Sequence, residues 1–197
     1  MKPEIYDSLL DEHIPRHLND GKIGIIPTDT VYGIVACAKL PNAATRLYSV
    51  KDRISKPGTI IASSIDQLVE LGFHRRYLTP VMQFWPGAVS VVLPHDIQYL
   101  HLGLGAQAIR VVENEALTSL LDKTGPLLTT SANVPNQETV RTIDEAHRIF
   151  GDKIDFYVNG GNLQNHLPST IIRIVDDAIE VLREGAVKIN EKGEISN

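Results

Sequence analysis

The 197-residue chain is 43% apolar and 22% charged, enough to bury a core and of a size for one domain, taken as residues 1–197. Nineteen basic against 24 acidic residues leave a net charge of −5, which argues against broad binding to nucleic-acid backbones, though not against a local basic pocket. Cys37 is the one cysteine, which excludes an internal disulfide and the usual zinc site; no apolar run approaches the ~20 residues of a membrane span, and Met1 to Asp20 lacks a signal-peptide core, so a cytoplasmic protein is expected.

Ile5, Leu9, Leu10, Ile14 and Leu18 recur at helical spacing, with Pro15 expected to kink or divide that helix and Asn19-Asp20-Gly21 to stop it. Ile23–Ile26 and Val31–Ala38 read as strands, the second interrupted by Gly33. Asn42–Lys51 reads as a helix opening after Pro41, Thr59–Ala62 as a strand, and Ser64 as the cap of a helix over Gln67–Leu71. Tyr77–Phe84 looks helical and stops at Trp85-Pro86-Gly87. Strand runs follow at Val89–Leu93 and Ala108–Val112, a helix at Glu115–Lys123, and a strand at Leu127–Thr130 leading into the turn Ser131-Ala132-Asn133. Thr142–Phe150 reads as a helix, and Ile154–Val158, Thr170–Val175 and Ala178–Arg183 as late strands, with Asp176-Asp177 turning between the last two. Interleaved strands and helices define an α/β (α+β) class with a mixed sheet.

Polar clusters stand at the ends of these apolar runs, where open α/β sheets place their sites. In Pro27-Thr28-Asp29-Thr30-Val31-Tyr32-Gly33 the hydroxyls can donate and accept, which suits an amino acid, or Thr28 and Asp29 can simply bond local backbone. Lys51-Asp52-Arg53 with Lys56-Pro57 can clamp a phosphate or carboxylate, or form a solvated helix end. Thr129-Thr130-Ser131-Ala132-Asn133 can aim N–H groups and hydroxyls at a phosphate, or cap its own backbone. Arg110, alone in an apolar run, either faces solvent or reaches an anion; Pro168-Ser169-Thr170 and Arg183-Glu184-Gly185 frame the late strands. His13 and His17 lie four apart, a metal-compatible spacing that no acid or cysteine set supports. There is no P-loop, no Gly-x-Gly-x-x-Gly fingerprint and no Gly-x-Ser-x-Gly elbow.

Read in order, these segments resemble the YrdC-like threonylcarbamoyl-adenylate synthase family, in its short, single-domain form. The resemblance runs from about Gly21 to Val187. It rests on Ile26–Gly33, Lys51-x-Arg53, Lys56-Pro57, Trp85-Pro86-Gly87, Ile109-Arg110-Val111, Ser131-Ala132-Asn133, Ser169-Thr170-Ile171 and Leu182-Arg183-x-Gly185. It implies a twisted mixed sheet flanked by helices, with a concave, positively charged cavity. It also implies synthesis of threonylcarbamoyl-AMP and pyrophosphate from L-threonine, bicarbonate and ATP with Mg²⁺. Lys51, Arg53, Ser131 and Asn133 match the residues that line the family's cavity and contact nucleotide phosphates. Thr139 and Arg183 fall where ATP is held; Thr30, Tyr32, Arg110, Thr129 and Ser169 fall where threonine is held. The chain departs from the usual pattern at Gly58, where a large apolar residue is common, at Val134-Pro135-Asn136, and at Ala88, Glu113 and Glu184. In the family's pathway, partner proteins pass the group to tRNA. The competing expectations are an RNA-binding module for tRNA or ribosomal precursor RNA, and an enzyme that adenylates carbamoyl phosphate.

Overall fold

The computed structural model describes residues 3–51, 56–135, 137–176, 178–190 and 192–196. Ten strands form one twisted mixed sheet. They are β1 (Glu4–Tyr6), β2 (Gly24–Pro27), β3 (Tyr32–Cys37), β4 (Thr59–Ala62), β5 (Val89–Pro94), β6 (Ala106–Val111), β7 (Leu127–Ser131), β8 (Phe156–Val158), β9 (Thr170–Val175) and β10 (Ala178–Arg183). Their order across the sheet is β1-β8-β2-β3-β7-β4-β6-β5-β9-β10. Pairs β1/β8, β8/β2, β4/β6 and β5/β9 are parallel and the rest antiparallel. A small hairpin, β11 (Lys188–Ile189) with β12 (Ile195–Ser196), stands apart from it.

Strand alternation divides the core into two layers. Tyr32, Ile34 and Ala36 of β3, Ile60 of β4 and Ile109 of β6 meet α2 (Pro41–Val50), α3 (Ile65–Leu71) and α7 (Ile143–Phe150) on one face. Val35, Cys37, Ile61, Val112 and Leu127 meet α1 (His13–Asn19) and α6 (Glu115–Thr124) on the other. Local chemistry starts several helices where the sequence places them. Pro41 opens α2 at a position that needs no N–H donor. Ser64, Asn114 and Thr142 accept from the third residue beyond them, at Gln67, Leu117 and Glu145.

Two expectations change. The apolar spacing from Ile5 does not make a helix: Glu4–Tyr6 is strand, Ile5 is exposed, and only His13–Asn19 coils. The open edge of β8 pairs with β1 in register, and long-range backbone bonding outcompetes a local helix there. Pro15 sits in the first turn of α1, where its missing N–H leaves nothing unpaired, so it neither kinks nor divides the helix. The helical reading of Tyr77–Phe84 holds and resolves into α4 (Arg75–Leu78) followed by a 3₁₀ segment at Thr79–Phe84, because Pro80 cannot donate into an α ladder. The short helix α5 (Gln98–His101) had no clear sequence signal. Asp176 has positive φ, as a turn requires; Asp177 and Asn136 lie outside the described residues. No helix among the described residues is long and apolar enough to cross a membrane.

Behind the sheet, His95 packs its ring 4.6 Å from Phe73 and 4.8 Å from His101, centroid to centroid. Burial pushes its imidazole down to about 4, and His101 adds to the shift. The folded-state value lies below the unfolded 6.5, so the stabilisation is fully present above that pH and is lost as pH falls toward 4. The wild-type protein is therefore expected to lose on the order of 2–3 kcal/mol more than His95→Gln between pH 7 and pH 4 in urea unfolding. Parallel pH profiles for the two proteins would contradict this.

Candidate functional site

The cavity continues the α1/α6 face of the sheet where those helices no longer cover it. Gly33 pairs with Ser131, and Thr59 stands between Thr129 and Ala108, so small and hydroxyl side chains lie side by side across four strands. All of them line one cavity, together with Arg110, Thr30, Ser169 and Arg183. The strand floor stays low because Gly33 has no side chain: a Cβ there would meet Thr129 Oγ1 at 2.5 Å. The cavity measures about 110 Å³, counted as space open to the centres of water molecules.

The Thr28–Thr30 loop is shaped by one hydroxyl. Thr28 Oγ1 donates to the Val31 carbonyl at 2.6 Å and accepts from the Thr30 and Val31 amides at 3.2 and 3.3 Å. Thr28 therefore bonds local backbone, one of the two options its sequence left open. Asp29 does the opposite and reaches across the sheet to Arg110. Arg110 Nε donates to Asp29 Oδ2 at 3.1 Å and Nη2 to Oδ1 at 2.5 Å, with both side chains almost wholly buried at 3% and 4% exposure. Arg110 thus does not face solvent. Two of its five N–H groups are engaged by the carboxylate. Of the other three, one on Nη1 points at Ser90 Oγ and one on Nη2 at Thr30 Oγ1, each at a long 3.4 Å.

Ser90 extends this network. Its hydroxyl lies 2.9 Å from Ser169 Oγ; Arg183 donates to the Ser169 carbonyl at 2.7 and 3.2 Å and to Ser169 Oγ at 3.1 Å. Asp29, Arg110, Ser90, Ser169 and Arg183 form a continuous polar chain. Ser90 is a functional candidate that no motif in the sequence marked, and Asp29 stood there only as the acid of the first polar cluster. The available signal for Ser90 was a lone polar residue inside the apolar run Val89–Leu93.

Lys51 and the Ser131–Asn133 turn form the adjoining unit. The buried ammonium donates to the Ser131 carbonyl at 3.0 Å, to Asn133 Oδ1 at 2.9 Å and to the Asn133 carbonyl. Ser131 Oγ donates to Asn133 Oδ1 at 2.6 Å, and Asn133 Nδ2 donates to the carbonyls of Val134 and Gln137 at 2.9 Å. Lys51 is thus a brace for the turn as well as a charge beside it, and not part of a solvated helix end.

The structure brings Thr30, Arg110, Thr129, Ser131, Ser169 and Arg183 together at the cavity, with Lys51 and Asn133 bonded to Ser131 beside it. Arg53 lies outside the described residues. Tyr32 does not line the cavity: it is fully buried, its hydroxyl donating to the Gly161 carbonyl at 2.9 Å and accepting from the Gly160 amide at 2.8 Å. Thr139 lies in a separate open groove with Gln137, Arg141 and Arg148.

The Sua5/YciO/YrdC family model, described as telomere recombination, matches residues 16–185. A putative threonylcarbamoyl-AMP synthase of Methanocaldococcus jannaschii is 30% identical over 188 residues, which cover 91% of this chain and 87% of that protein. The threonylcarbamoyl-AMP synthase of Bacillus subtilis is 29% identical over 178 residues, and the match spans 86% of this chain but only 51% of that longer protein. Among solved structures, Pyrococcus abyssi Sua5 complexed with L-threonine aligns with a TM-score of 0.83 at 25% identity, over 95% of this chain and 58% of that one. Escherichia coli YciO aligns with a TM-score of 0.81 at 21% identity over 93% and 96%, a likeness of fold.

Proposed function

The chain belongs to the Sua5/YciO/YrdC family, and from that premise we propose that it joins L-threonine, bicarbonate and ATP into threonylcarbamoyl-AMP, releasing pyrophosphate. The observation that carries this reading is the cavity itself: hydroxyl-lined, with a buried arginine whose outer N–H groups have only long contacts.

Arg110 would take the threonine carboxylate through the N–H groups that Asp29 leaves available, and the hydroxyls of Thr30, Thr129 and Ser169 would surround the polar groups of the amino acid. The nucleotide then lies across the mouth, its phosphates toward Ser131, Arg183 and the Lys51-braced turn. The amine of threonine condenses with bicarbonate to a carbamate with loss of water. A carbamate oxygen attacks the α-phosphorus, and pyrophosphate leaves. Catalysis in this scheme is chiefly positioning and charge stabilisation. Mg²⁺ enters as part of the nucleotide substrate. The ion would be held chiefly by phosphate oxygens and water. Threonine's place beneath the nucleotide is also the arrangement that keeps a labile product from water.

Purified protein given MgATP is expected to release pyrophosphate only when threonine and bicarbonate are both present. Release indifferent to threonine, or none from demonstrably folded protein, would sink the reading.

A further inference from the structure

Gly58 and Thr59 form part of the cavity wall. Gly58 enters β4 pressed against β7: a Cβ there would stand 2.5 Å from the Thr129 carbonyl oxygen and 3.0 Å from Thr130 Cγ2, so no side chain fits without moving the floor. Both backbone polar groups of Gly58 are met by buried side chains. Its N–H donates to the Tyr48 hydroxyl at 3.2 Å, and its carbonyl accepts from Gln107 Nε2 at 2.9 Å.

Gln107 is 2% exposed and lies on β6. By alternation it faces away from the cavity that Ala108 and Arg110 line, toward the layer that holds Ile109. An amide in such a layer is costly unless its polar groups have work there. The Gly58 carbonyl can only accept, which fixes the amide with its nitrogen toward Gly58. Its oxygen is left buried without a partner. The same is true of His95 Nε2. His95 Nδ1 accepts from the Ile97 amide at 3.2 Å, so the neutral ring carries its proton on Nε2. The stranded donor and the stranded acceptor are complementary.

We propose that Gln107 is a positioning residue: with Tyr48 it clamps the Gly58 backbone from behind the sheet and so sets the wall of the amino-acid cavity. This rests on the synthase reading above. Gln107 touches no substrate; it acts through the Gly58 backbone. Removing the amide lets that segment relax away from β7, which degrades the fit to threonine more than the chemistry that follows.

Steady-state pyrophosphate release, with threonine varied at saturating MgATP and bicarbonate, tests this. Gln107→Leu is expected to raise the threonine KM about tenfold with kcat within about twofold of wild type. Ile109→Val, on the same face of the same strand, should lower the melting midpoint yet leave KM unchanged. Tyr48→Phe should shift KM in the same direction. The double variant should exceed the larger single effect little, because both side chains hold one residue. If Gln107→Leu loses stability but keeps the wild-type KM, Gln107 is merely structural and the inference falls. If Gln107→Leu does not fold, Tyr48→Phe alone decides: an unchanged KM overturns the proposal. A wild-type protein without threonine-dependent release fails the functional reading, and the inference with it. A working wild type with insensitive variants fails the inference alone.

Discussion

Asp29→Ala is expected to cost about 3–5 kcal/mol of stability and to lower threonine-dependent kcat/KM by roughly 10–100-fold or more. Asp29 and Arg110 are 4% and 3% exposed, so truncating the acid leaves a nearly buried guanidinium without the carboxylate that neutralises it. The two-pronged contact also sets the plane of the guanidinium and decides which N–H groups face the cavity. Urea unfolding and pyrophosphate release separate the two effects. Asp29→Leu combined with Arg110→Leu should recover much of the lost stability, because neither charge of the pair is then left unpaired, while activity stays lost. Activity in that double variant would show that neither group binds substrate.

Lys51→Met should have the second large effect, a loss of about 10²–10³-fold in kcat. Methionine keeps most of the volume and removes the ammonium. The Ser131 and Asn133 carbonyl oxygens then lose a donor, which adds about 1–3 kcal/mol of destabilisation. Lys51→Arg should not restore activity. A planar fork cannot direct its donors at closely spaced acceptors on one turn as a compact ammonium does. The readouts are kcat at saturating substrates and the melting midpoint. Near wild-type kcat in Lys51→Met would remove Lys51 from the catalytic unit and leave it as a brace.

Much of the molecule follows from local pattern. The starts of α2, α3, α6 and α7 are written in Pro41, Ser64, Asn114 and Thr142, because capping is satisfied within a few residues. The strands from β2 to β10 fall close to their apolar runs, since burial on a sheet needs only alternation or a short continuous run. The polar clusters at strand ends were visible as chemistry without a function, and their order along the chain resembled one family.

Other features exist only in the folded chain. Ile5 to Leu10 carries helical spacing, yet β1 forms because β8 presents an edge that a local pattern does not describe. Tyr32 and Thr139 stand among the candidate residues in sequence, but burial turns one hydroxyl to the Gly160–Gly161 loop, and the path beyond Asn133 carries the other to a separate groove. Asp29 meets Arg110 across 81 positions, and Lys51 meets Ser131 across 80. Residue type alone left each of these open between local bonding, solvent and a distant partner. The sequence by itself determined where most helices and strands lie and which side chains could hold an anion or an amino acid, because those properties are set within a few residues. Strand register and burial decided the rest: once water is excluded, a buried donor or charge must find its partner wherever the sheet has brought one within reach.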